Sequence, residues 1–216
     1  MPAITTPAPP RPHREPLVLL GVGVLLLALS GISPKDRFTW WLEIAPILLA
    51  VPVLGFTARR FPLTPLLYRL IFLHALVLML GGHYTYAEVP LGEWMRSLFG
   101  FSRNHYDRIG HFMQGFVPAL VARELLLRTS PLRTGRWLFF LVSSTCLAIS
   151  ACYEFVEWWT ALATGEGATA FLGTQGDPWD TQWDMLLALI GSIAAQLSLG
   201  RVQDRQLARL AFWHER

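Results

Sequence analysis

Charge is what this 216-residue chain has least of: 15% of its residues are charged, against 53% hydrophobic ones. A soluble domain carries about 25% charged residues. The balance therefore excludes an ordinary soluble domain, and with it disorder, collagen repeats and disulfide scaffolds. Cysteine is nearly absent as well. Cys146 and Cys152 share one apolar run, where a helix would hold them about 9 Å apart along its axis, too far to pair. They read as small core residues. The chain has no Walker loop, CxxC, GxSxG or HExxH, which removes the commonest nucleotide, redox and hydrolase signatures. A net charge of +3 could suggest nucleic acid, but the cation positions are better explained by membrane topology, and no nucleic-acid partner is expected.

What the chain does have is long apolar runs. Six are present, roughly Leu17–Ile32, Phe38–Thr57, Pro65–Gly82, Ile109–Leu127, Trp137–Trp159 and Thr181–Leu199. Each approaches the ~20 residues needed to cross a bilayer core. The runs are apolar all round rather than alternating, which favours helices over a barrel. Pro46, Pro52 and Pro118 imply kinks. The first run is short; with Arg11 and Arg14 before it and Ala28-Leu29-Ser30 after it, it also fits a signal peptide, although an uncleaved helix is preferred. Residues 89–104 read as an interfacial helix or ordered loop, and Thr164–Trp179, with four glycines and a proline, as a loop that could serve as a lid.

The fold class is therefore all-α: a polytopic six-transmembrane-helix bundle embedded in a lipid bilayer, with both termini cytoplasmic. A disordered arm (1–15), a membrane domain (16–200) and a cytoplasmic tail (201–216) are expected. With the N-terminus inside, thirteen of the 18 Lys and Arg fall on inner segments and five on outer ones, the bias of the positive-inside rule. Trp40, Trp41, Trp94, Trp158, Trp159, Trp179 and Trp183 then mark the outer boundary, and Trp137 and Trp213 the inner one.

Depth sorts the polar residues. At about 1.5 Å per residue from the inner arginines, His111, Glu154 and Asp184 lie about 26–27 Å up, and Asp107, Glu157 and Asp180 about 31–32 Å up. The pairs Asp107/His111, Glu154/Glu157 and Asp180/Asp184 each share a helix face. Asp177 adjoins them, and Glu43 and His83 could join from behind. Six carboxylates cannot crowd one pocket fully ionised without a cation, shared protons or abundant water. Two blander readings compete: helix-end acids bathed in headgroup water, and an interhelical hydrogen-bond network that only fixes packing. Asp180 also suits a helix N-terminus. His83 reads as a boundary histidine, and Arg123 and Glu124 as interface residues near the cytoplasmic end.

The strings HYTYAEVPLG (83–92), YDRIGHFMQGF (106–116), YEFVEWW (153–159) and FLGTQGDPWDTQWDM (171–185) resemble the YjdF-type family of bacterial inner-membrane proteins. The resemblance runs over nearly the whole chain after the arm, and it implies a multi-pass protein of the bacterial inner membrane. It carries no catalytic mechanism over. More faintly, Asp107, His111, Phe112, Glu154 and Asp184 are similar to the pattern of VanZ-like envelope proteins, from which Glu157, Asp180 and the QGDPWD loop depart.

The functional expectation is an outer-facing site for cation-assisted hydrolysis or group transfer on, or binding of, a lipid or lipid-linked envelope substrate. A divalent cation (Mg²⁺, Mn²⁺ or Zn²⁺) would be held by His111, Glu154 and Asp184, with Asp180 and Asp177 nearby. Asp107 and Glu157 would act as general base or supporting groups. Arg96, Arg103 and Arg108 would hold phosphate. The alternatives are a small proton- or cation-coupled carrier and a non-catalytic membrane partner protein. Helices five and six look almost wholly apolar below Glu154 and Asp184, which favours a one-sided site over a through-path.

Overall fold

The computed structural model describes the backbone of residues 14–165 and 169–214, and side chains within 14–165 and 171–210. The helices are α1 (Arg14–Ser30), α2 (Arg37–Thr57), α3 (Pro65–Tyr84), α4 (Pro90–Phe99), α5 (Tyr106–Thr129), α6 (Arg136–Thr164), α7 (Thr169–Leu172) and α8 (Asp180–His214), with one 3₁₀ turn at Tyr86–Glu88. No strand occurs among the described residues. Of the expected arm only Arg14 and Glu15 are described, and they open α1; Arg11, Glu166, Gly167 and Arg216, and the Trp213 side chain, lie outside the described set.

Four helices, α2, α3, α6 and α8, are long and apolar enough to cross a membrane. The other two expected spans differ for separate reasons. α1 is apolar but only 17 residues long. α5 has 24 residues but carries Asp107, Arg108, His111, Gln114, Arg123, Glu124 and Arg128. α8 continues without a break past residue 200, so the segment set apart as a tail begins as helix. The expected loop contains the short α7, and α6 extends beyond Trp159 to Thr164.

The exterior is apolar and much of the interior polar, the reverse of a soluble protein. Phe56 is 86% exposed, and Leu49, Trp137 and Leu197 are also bare, whereas Glu43, Asp107, His111, Glu124, Glu154 and Asp184 are buried. Apolar surface on this scale is stable in lipid, where water gains nothing by leaving it.

α5 is the central helix. It packs most extensively on α8 and also meets α3 and α6, while α1 and α2 pack on α3. Small residues allow the closest approach: a Cβ at Gly115 would strike the Ala188 carbonyl, and one at Gly191 would strike the Phe112 backbone. Close backbone contact at small residues is how helices associate in lipid, where apolar burial supplies little drive.

Arg123 and Glu124 are not interface residues, as expected from sequence; both are buried, and Glu124 is 0% exposed. Glu124 accepts from the Thr64 amide (3.1 Å) and hydroxyl (2.8 Å) and from Arg128 (2.9 Å). Arg123 donates to Gln203 (3.1 Å) and pairs with Asp204. Gln203 in turn donates to the Leu120 carbonyl. This satisfied network joins α3, α5 and α8 at the end of the bundle away from His111, and a paired buried charge avoids the cost of an orphaned one.

Candidate functional site

α5 and α8 both begin at the other end of the bundle, and α6 ends there. α5 supplies Asp107 and His111, α6 supplies Glu154 and Glu157, and α8 supplies Asp180 and Asp184, all buried. The i,i+4 and i,i+3 spacings turn each pair to one face, and the small-residue contact of α5 with α8 brings two of those faces together.

His111 is the centre. Its Nε2 lies 3.4 Å from Asp107 Oδ1 and 3.8 Å from Asp184 Oδ1, and its Nδ1 lies 4.0 Å from Glu154 Oε1. Two triplets offer ligand atoms within 4.8 Å of one another: Asp107, His111 and Asp184, and His111, Glu154 and Glu157. Three buried carboxylate oxygens have no hydrogen-bond partner among the described residues: Asp107 Oδ2, Glu154 Oε1 and Asp184 Oδ1. They come from three different helices. Buried polar atoms are nearly always satisfied; here two of the three orphans, Glu154 Oε1 and Asp184 Oδ1, lie within 4.0 Å of the imidazole nitrogens, and the third belongs to Asp107, whose other oxygen is 3.4 Å from Nε2.

The imidazole is held by a residue that sequence reasoning missed. Gln114 Oε1 lies 2.9 Å from His111 Nδ1, one turn along the same helix. That contact orients the ring so that Nε2 faces Asp107 and Asp184. The i,i+3 spacing of His111 and Gln114 was the available signal.

Glu43 does join from behind. It is buried, faces Tyr86 and lies close enough to Asp107 and His111 to feel their charge. Burial and the facing Glu43 carboxylate push the Tyr86 phenol well above its ordinary range, so it stays neutral. Tyr86 sits in the 3₁₀ turn and packs where Gly81 and Gly110 leave room for its ring. His83 does not join; its Nδ1 lies 2.9 Å from the Ser30 carbonyl oxygen.

The remaining expected residues form a separate group. Arg103 NH1 donates to Asp180 Oδ1 (2.6 Å), to the Thr174 carbonyl (2.9 Å) and to Asp177 Oδ2 (3.4 Å), and NH2 donates to the Gly173 carbonyl. Arg108 NH2 donates to Asp177 Oδ2 (2.9 Å). Asp177 and Asp180 are thus paired with arginines, and Arg103 straps the 173–179 loop over the end of the bundle. Gln175 closes the strap, its side chain accepting from the Asn104 amide and donating to the Asn104 carbonyl. Its φ of 48° is left-handed. Arg96 pairs with Glu93 on α4, outside both groups.

Below the carboxylates the helices are less apolar than the sequence suggested. Ser150 and Ser192 are fully buried, and Gln196 donates to Ser143 (3.0 Å). The Ser150 hydroxyl is without a partner among the described residues.

A family model described as "Predicted membrane protein (DUF2238)" matches residues 15–205, which contain every residue of both groups. The inner membrane protein YjdF of Escherichia coli (strain K12) is 56% identical over 185 residues, covering 86% of this chain and 88% of that protein. The resemblance read from the four sequence strings is borne out. No solved structure matches the chain with significance.

Proposed function

This chain belongs to the DUF2238 family of membrane proteins and is a multi-pass protein of the inner membrane; from that premise we propose that its carboxylate–histidine cluster holds a divalent cation serving a lipid or lipid-linked envelope substrate. The observation that carries this is the convergence on His111 of three buried carboxylates, each with an oxygen that has no hydrogen-bond partner among the described residues. With metal–ligand bonds of about 2.1 Å, neighbouring ligands stand about 3.0–3.4 Å apart, and the His111 Nε2 separations of 3.4 and 3.8 Å fit a cage that tightens slightly on its ion. An oxygen-rich set with one imidazole suits Mn²⁺ or Mg²⁺, and Zn²⁺ with an open position is the other option.

The direction of the imidazole changes the roles read from sequence. Asp107, His111 through Nε2, and Asp184 are the proposed ligands. Glu154 and Glu157 stand beside them as the groups to take a proton from an attacking water. In such a step the water oxygen bonds to the ester or phosphoryl centre and its proton passes to the carboxylate. The bond to the leaving alcohol breaks, and that oxygen takes the proton back. The positive-inside bias of the Lys and Arg supports an outer-leaflet position for this site.

A cation-coupled carrier is the second reading, favoured by the buried Ser150, Ser192 and Gln196 beneath the cluster. Asp184→Asn separates the cation readings from a packing network. It keeps shape and removes charge, so it should abolish stabilisation by Mn²⁺ while leaving the folded protein intact. If Asp184→Asn only raises stability and leaves the Mn²⁺ response unchanged, the acids are packing groups. Mn²⁺ trapped in sealed vesicles then distinguishes carrier from enzyme by whether it crosses.

A further inference from the structure

A groove of about 460 Å³ runs beside the site, between α4 and the faces of α5 and α8. Its walls are apolar: Met95, Phe101, Ile109, Phe112 and Leu187. Its polar lining residues are His105 and Arg108. Arg108, Ile109 and Phe112 form one stripe of α5, about 100° around the helix from the Asp107/His111 stripe, and His105 stands just before the helix at its N-cap. Leu187 is one turn along α8 from Asp184.

Both polar residues hold a donor in reserve. Arg108 Nε and His105 Nδ1 are buried and have no hydrogen-bond partner among the described residues. The arginine is otherwise fixed: NH2 is on Asp177, and the guanidinium lies 5.0 Å over the Trp183 ring. A partnerless buried donor is costly, and a charged one more so. Arg103 and Arg108 balance Asp177 and Asp180 at the polar end of the groove. An anion with an apolar tail would satisfy both the donors and the walls.

The surroundings decide where that anion comes from. α4 exposes Leu91, Trp94 and Leu98 along one side, the i, i+3, i+7 stripe of a helix lying on a membrane surface. A free phosphate has no use for the apolar wall. We propose that this groove binds an anionic phospholipid, its phosphate accepting from Arg108 Nε and His105 Nδ1 and its acyl chain lying along Ile109, Phe112 and Leu187. This deepens the proposed function, on which it rests for the role of the lipid: the headgroup is held beside the cluster on the same two helices.

Native mass spectrometry of the detergent-purified full chain, supplied with phosphatidylglycerol or with diacylglycerol, which has the same acyl chains and no phosphate, tests the groove. Wild type should retain phosphatidylglycerol about tenfold better, the value of one charge-assisted contact. Arg108→Gln should erase the preference. Should that variant fail to fold, Leu187→Trp fills the groove without touching a polar contact and should also erase it. Millimolar inorganic phosphate should not displace the lipid. Equal retention of the two lipids by wild type, or a preference that survives both substitutions, overturns the proposal, as does displacement by inorganic phosphate. The preference should persist in chelator. A phosphatidylglycerol preference with no Mn²⁺ response would sink the cation reading alone, and a Mn²⁺ response with no lipid preference would sink the groove alone.

Discussion

Gly115 of α5 and Ala188 of α8 touch backbone to backbone, so closely that a single methyl group at Gly115 would meet the Ala188 carbonyl. One helical turn earlier on the same two helices stand His111 and Asp184. The two helices run in the same direction, and their tightest contact therefore lies directly beneath the histidine–carboxylate pair. Packing at one level sets the geometry of the site at the next.

Gly115→Leu should force α5 from α8, destabilising the protein by about 2 kcal/mol or more and weakening any Mn²⁺ response. Gly55→Leu is the control: nothing lies within 4 Å of its added Cβ, and it should be neutral or slightly stabilising. Thermal unfolding in detergent measures both. Equal effects at the two glycines would remove the packing argument.

Arg103 and Asp180 form a buried pair in which Asp180 alone would be an uncompensated charge, whereas Arg103 alone would keep Asp177. Arg103→Gln should be strongly destabilising, on the order of 3–5 kcal/mol, and Asp180→Asn less so, because Asp177 stays with Arg103. The double variant should cost clearly less than the sum. Arg103→Gln should be the worse single change, because it also releases the Gly173 and Thr174 carbonyls. A double variant whose cost equals the sum would show that the two residues do not depend on each other.

His105, in the loop before α5, carries a pH signature. Burial, then the charges of Arg108 and Arg103, lower its pKa, and Asp177 and Asp107 oppose the shift. Between that lowered value and the unfolded value of about 6.5, the unfolded chain binds the extra proton. Stability contributed by the neutral ring is therefore present above about pH 6.5 and is lost as pH falls through this window. In lipid-free detergent, wild type should lose more thermal stability than His105→Asn between neutral and mildly acidic pH. Parallel losses would show that the ring is not held neutral by the fold.

Much of the site was legible in the sequence because the membrane supplies a ruler. Inner arginines fix zero, a helix rises uniformly, and Asp107/His111, Glu154/Glu157 and Asp180/Asp184 fall at matching heights. What depth cannot give is the direction around each helix. That is why Asp180 looked equivalent to Asp184, although one faces Arg103 and the other His111. It is also why Arg103, which is tied to Asp180 and the 173–179 loop, looked free to hold phosphate. Arg123 and Glu124 were misread for a related reason: their partners Thr64, Gln203 and Asp204 are 60 to 81 residues away, and no local pattern announces them. Hydropathy understates α5 because its polar side chains turn inward, where packing rather than lipid receives them.

Topology is tested by fusions to a phosphatase active only outside the cytoplasm. A fusion after Leu172 should be active, and fusions after Arg133 and Arg216 inactive, given thirteen inner cations against five outer ones. The inverse pattern would put the cluster on the cytoplasmic face and rule out an outer-leaflet substrate.

The most direct measurement is a Mn²⁺ titration of chelator-treated full-length protein at neutral pH, followed by electron paramagnetic resonance of the free ion. One Mn²⁺ should bind per chain, with thermal stability rising as RT ln(1 + [L]/Kd). His111→Ala and Asp184→Asn should each abolish the binding, while Arg96→Gln, on α4, should leave it intact. If wild type takes up no Mn²⁺, or if the His111 and Asp184 variants bind it as wild type does, the cation account is contradicted.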